Sequence, residues 1–106
     1  MRLTTDRDDP ELSQTIYNGM RLAYLIKPAQ EMTGKPPRPI RKIYTHRLCG
    51  TATRITDLMA LTIAYDPKFY DQLGMYCIEC KSHFPLRDAD DQPTFDWAED
   101  GKPVGS

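Results

Sequence analysis

The sequence predicts an α+β domain in which two helices pack against a short antiparallel sheet and one zinc ion staples the whole. Three observations predict it. The first is a pair of segments, Thr45-His46-Arg47-Leu48-Cys49-Gly50-Thr51 and Tyr76-Cys77-Ile78-Glu79-Cys80-Lys81-Ser82, each placing two metal-binding side chains three positions apart. The second is apolar spacing of helical period in two stretches outside those segments. The third is length, since 106 residues make one domain with a modest core, the size at which a staple often supplements burial.

The first helix is expected from about residue 10 to about residue 27. Asp9 suits the N-cap and Pro10 the first helical position. Leu12, Ile16, Met20 and Ala23 recur at helical spacing, with Leu22 and Ile26 beside them, and Pro28 interrupts the ladder. A further turn is expected through Gln30 to Met32. Lys35-Pro36-Pro37-Arg38-Pro39 then forms an extended connector. Ile40 to Thr45 is expected to be a strand. Arg54 to Tyr65 is the second predicted helix, capped by Thr53, with Ile55, Leu58, Met59, Thr62 and Ile63 buried.

Beyond Pro67, Lys68 to Leu73 predicts one more turn with Phe69, Tyr70 and Leu73 inward, closed by Gly74. Met75 to Ile78 enters the second ligand pair as a strand, and Phe84 to Leu86 leaves it. Asp88 to Gln92 is an acidic loop. Thr94 to Trp97 alternates, which puts Phe95 and Trp97 on one strand face. Glu99-Asp100-Gly101-Lys102 is a hairpin turn, and Pro103-Val104 begins a return.

The ligand pairs carry the chemistry. A tight turn at this spacing aims both side chains at one point, and nearby backbone N–H groups can support the thiolates. Two such turns supply the four ligands of a closed structural zinc site: His46, Cys49, Cys77 and Cys80. All three cysteines are then used, which fits a reducing compartment better than a disulfide framework does. His83 lies three positions beyond Cys80 and is the alternative fourth ligand. His46 is preferred, because Cys49 otherwise lacks a partner in its own turn. Gly50 suits the positive φ that such a turn needs.

These segments resemble the paired knuckles of zinc ribbons and related zinc fingers, with His46 in place of the first Cys. The resemblance covers about a dozen residues and makes 40–106 a zinc-ribbon-like part with a helical insert, preceded by an N-terminal helical part over 1–34. Zinc ribbons often touch nucleic acid near the first knuckle. In general character the chain also resembles small accessory proteins of phages and mobile elements, although no motif carries that likeness.

Enzymatic chemistry is not expected. The deaminase pattern of His-x-Glu followed by Pro-Cys-x-x-Cys and the zincin pattern His-Glu-x-x-His are absent, as is a Gly-rich phosphate loop. A redox role for Cys77 explains the second pair and not the first. The expectation is therefore a non-catalytic zinc-binding accessory protein that engages another protein, as a regulator or inhibitor of a larger machine. Trp97, Tyr17, Tyr24 and Tyr44 are candidate anchors, and Asp88, Asp90 and Asp91, with Glu99 and Asp100, would face a basic partner. The alternative is nucleic-acid binding through Lys35, Arg38, Arg41, Lys42, Arg47 and Arg54, a stretch with six cations and no acid. The acidic segment 82–106, with six acids against two cations, and the overall charge of −1 weigh against that alternative. No membrane segment and no small-molecule substrate are expected. The polar first residues lack a signal-peptide h-region, so a cytoplasmic location is expected.

Overall fold

The computed structural model describes residues 2–106. Its strands are β1 (Arg2–Thr4), β2 (Ala23–Leu25), β3 (Ile43–His46), β4 (Ala52–Arg54), β5 (Met75–Cys77), β6 (Ser82–Phe84) and β7 (Phe95–Trp97). Its α-helix, α1, spans Asp57–Tyr65. The mixed architecture matches the expected class, but the described residues hold one α-helix where the sequence predicts two.

The stretch read as the first helix is the correction. Asp9 does cap a helical start, accepting from the Glu11 N–H at 3.0 Å with Pro10 behind it, but only a single 3-10 turn, Pro10–Ser13, follows. The chain then folds into a tight loop: Thr15 bridges Arg21, and the Gly19 N–H donates to the Ile16 carbonyl at 2.9 Å. Asn18-Gly19 forces this reversal, because Gly19 holds φ +85°, which a helix cannot accommodate. Ala23, Tyr24 and Leu25 emerge as β2 and pair in parallel with β1, so all three are buried. Residues 2–34 are thus loop and strand with two short 3-10 turns, the second of which, Ala29–Glu31, falls where a turn is expected.

β3 is the centre of a three-stranded antiparallel sheet, flanked by β4 and β7. β5 and β6 form a separate hairpin. The helix begins later than the sequence suggests. Thr53 is spent in β4 opposite Tyr44, and Thr56 caps α1 by accepting from the Met59 N–H at 3.3 Å. Met59, Thr62 and Ile63 face the core as expected, whereas Leu58 is exposed. Tyr70 is buried after the turn, and Gly74 takes φ +81°.

The core gathers Tyr44, Phe95 and Trp97 from the sheet, Met59 and Ile63 from α1, and Met75 from β5. Tyr44 meets Phe95 and Trp97 edge-on, at centroid separations of 5.0 and 6.2 Å. Its hydroxyl donates to the Tyr76 carbonyl and so ties the sheet to the β5–β6 hairpin. The Asp100-Gly101 turn forms as predicted, and the Val104 N–H returns to the Phe95 carbonyl at 3.0 Å.

Candidate metal centre

Each ligand pair sits at the tip of a hairpin. β3 and β4 run in register from Ile43 opposite Arg54 to Thr45 opposite Ala52, and His46 to Thr51 turns between them. In that turn the Gly50 N–H donates to the His46 carbonyl at 2.7 Å, and the His46 N–H donates to Thr51 at 3.1 Å. The second tip repeats the pattern, with the Lys81 N–H donating to the Cys77 carbonyl at 2.8 Å. The residue after the second ligand is left-handed in both, Gly50 at φ +75° and Lys81 at φ +53°. Gly50 does this at no steric cost. Lys81 holds a conformation that costs an L-residue about 1–2 kcal/mol.

The two tips converge. His46, Cys49, Cys77 and Cys80 place one donor atom each within 4.8 Å of one another. His46 Nδ1 lies 3.5 Å from Cys49 Sγ and 3.6 Å from Cys80 Sγ, and Cys49 Sγ lies 3.4 Å from Cys77 Sγ. Zn–S bonds of about 2.3 Å and Zn–N bonds of about 2.0–2.1 Å give a tetrahedron with N···S edges of about 3.6 Å and S···S edges of about 3.8 Å. The observed N···S separations equal those edges, and the measured sulfur pair is slightly compressed. No sulfur is near the roughly 2.05 Å of a disulfide, and all three cysteines are free. His83, the alternative ligand, is elsewhere: it lies on β6 with Nε2 2.8 Å from the Tyr24 hydroxyl.

The surroundings suit a cation. His46 is buried between Phe84 and Phe95, at centroid separations of 4.3 and 4.8 Å, and this burial holds its pKa below the usual imidazole value. A neutral ring is what a metal takes. The Thr51 backbone N–H supports the Cys49 sulfur and, with the neighbouring Cys77, draws its pKa down. Loss of solvent, with Cys77 and Cys49 close by, pushes the Cys80 thiol up to about 11. With Cys80 held protonated in this way, the cysteines do not all ionise by themselves. A divalent cation at their centre reverses that preference and deprotonates them outright. Phe84, Phe95 and Lys81 were not foreseen as shaping the site. The alternation around Phe95 and the position of Phe84 four residues beyond Cys80 were the available signals.

The remaining candidate residues scatter. Trp97 is 1% exposed and belongs to the core, because β7 turns it toward Tyr44, so it is no surface anchor. Tyr24 and Tyr44 are buried too, and Tyr17 is the anchor candidate that stays outside, at 99% exposure. Asp88, Asp90 and Asp91 are exposed in a loop that closes on itself, with the Asp90 and Gln92 N–H groups donating to Asp88 Oδ1 at 2.8 and 3.0 Å.

Half of the basic stretch is answered from within the fold. Arg41, 5% exposed, pairs with Asp100 at 3.0 Å and stacks on the Trp97 ring. Arg47 meets both Asp96 oxygens at 2.7 Å, and Lys42 reaches Asp57 at 2.9 Å. Glu99 accepts from the backbone N–H groups of Lys42 and Ile43. Lys35, Arg38 and Arg54 have no carboxylate partner among the described residues.

No protein-family model matches the chain, and no curated protein or solved structure is significantly similar to it. No helix among the described residues is long and apolar enough to cross a membrane.

Proposed function

We propose that this protein is a non-catalytic, zinc-stapled accessory protein that acts as a protein-interaction module. The observation that supports it is the convergence of four protein donors within 4.8 Å of one another, with His46 Nδ1 at a tetrahedral edge from the sulfurs of Cys49 and Cys80. Four protein ligands fill the coordination sphere of zinc, and catalytic sites keep one position for water or substrate. The bound ion then holds two hairpins together and performs no reaction. The surface offered to a partner is the exposed Asp88, Asp90 and Asp91 loop, which would meet a basic face. The nucleic-acid alternative is weakened because Arg41, Lys42 and Arg47 already have carboxylate partners. It would have to rest on Lys35, Arg38 and Arg54.

Native mass spectrometry, before and after chelation, tests the staple. One zinc per chain is expected, and a metal-free protein with unchanged circular dichroism would end the proposal. Affinity capture with wild type and with an Asp88→Asn, Asp90→Asn, Asp91→Asn variant tests the surface. Loss of a basic partner in the variant is expected. Salt-sensitive retention on nucleic acid, abolished by Arg38→Gln with Arg54→Gln, would favour the alternative instead.

A further inference from the structure

The chain has 14 lysines and arginines, and six of them, Arg2, Lys27, Arg41, Lys42, Arg47 and Arg87, reach a carboxylate among the described residues. Of the rest, Arg7, Arg21 and Lys81 line one cleft of about 700 Å³, which includes none of the four metal ligands, and no acidic residue lines it. The one least able to reach water has the most to gain from a counter-ion. Arg21 is that one: it is half-buried, and loss of solvent lowers its pKa. Thr15 and Ser82 add hydroxyls with no hydrogen-bond partner among the described residues. His83 completes the wall, tied through Nε2 to Tyr24, whose hydroxyl also accepts from the Arg21 N–H at 3.2 Å.

We propose that this cleft is an anion site for a polyvalent phosphate ester, a nucleoside diphosphate or a group of similar charge. Guanidinium forks and an ammonium group supply charge-assisted donors, and hydroxyls complete the cradle for a tetrahedral oxyanion. The cleft is large enough for more than one phosphate group. It is held rigidly. Gly19, at the tip of the N-terminal loop, packs so closely on the Lys81 backbone that a Cβ there would lie 2.0 Å from its carbonyl oxygen. Tyr76 donates to the Asn18 carbonyl at 2.5 Å, which pins the same loop. The second knuckle therefore sets where Lys81 stands relative to Arg21.

The test is a titration of the zinc-loaded, full chain followed by amide NMR, with inorganic pyrophosphate and ADP as probes. Saturable shifts centred on Arg21, Lys81 and Ser82 are expected for both, with ADP tighter if the nucleoside is also held. Arg21→Gln should weaken binding about tenfold, as losing one charge-assisted contact does, while Lys68→Gln, an exposed cation elsewhere, should not. Arg7→Gln gives the same reading should Arg21→Gln fail to fold. Absence of saturable shifts, or equal loss in Lys68→Gln, would overturn the proposal. So would a single-stranded oligonucleotide that binds more tightly than either probe and moves the 35–54 amides instead.

Discussion

Gly19 and Gly50 both hold a positive φ, +85° and +75°, but their surroundings differ. A Cβ on Gly50 meets nothing within 4 Å, whereas one on Gly19 runs into the Lys81 carbonyl. Gly50→Ala should therefore cost only the left-handed backbone, about 1–2 kcal/mol. Gly19→Ala adds a backbone clash and should cost at least twice that. Chemical denaturation of the two zinc-loaded variants compares them, and equal losses would mean the contact with the knuckle is soft. His83 offers a second prediction at this scale. Burial first, and Arg21 second, lower its pKa from 6.5 to about 4. The unfolded chain binds the proton more readily, so the stability linked to His83 is full above pH 6.5 and shrinks as the pH falls toward 4. Discounted for partial exposure, the effect is about 1–2 kcal/mol. Denaturation curves of wild type and His83→Gln should differ in slope across that interval, and parallel curves would refute it.

The elements meet through a few directional bonds. The Tyr44 hydroxyl joins β3 to the Tyr76 carbonyl of β5. Tyr44→Phe leaves that carbonyl without its partner in a buried place, which should cost about 1–3 kcal/mol. A lowered urea midpoint with zinc stoichiometry retained is the expected result. This scale also shows where the sequence was informative. The knuckle spacing, Gly50, the Asp100-Gly101 turn and the inward pair Phe95 and Trp97 were legible, because each depends on chemistry confined to a few neighbouring residues. The stretch from residue 10 to 27 was not. Its apolar residues recur every four positions, which matches a helix, and Asn18-Gly19 was the overlooked signal that breaks it. Nothing local to Ala23-Tyr24-Leu25 announces that Arg2-Leu3-Thr4 will lie alongside. Likewise Trp97 looked available to a partner until β3 was placed beside it. Which residues become neighbours across long separations is decided by the sheet, and one sequence carries little sign of that.

For the molecule as a whole, a metal held by the four donors would cross-link Cys49 to Cys77 across the segment that contains β4, α1 and β5. Closing a loop of that length is entropically unfavourable, and metal binding would offset it. Chelation should therefore unfold more than the site: the tertiary signal of Trp97 should collapse together with the helical signal of α1. Cys49→Ser should behave like the chelated protein, with aggregation on heating. A native-like Cys49→Ser spectrum would show that the core suffices alone. Charge is also arranged at this scale. Two pairs join the basic stretch to the acidic stretch that follows the second knuckle, Arg41 with Asp100 and Arg47 with Asp96.

The central position of β3 has a consequence for the order of events during synthesis. His46 and Cys49 leave the ribosome first, and the ligand set is complete once Cys80 has followed. β7, the strand that covers the other flank of β3 and brings Phe95 against the His46 ring, emerges after Cys80. An ion taken up by the four donors would thus be able to meet the histidine before the arriving strand covers its ring.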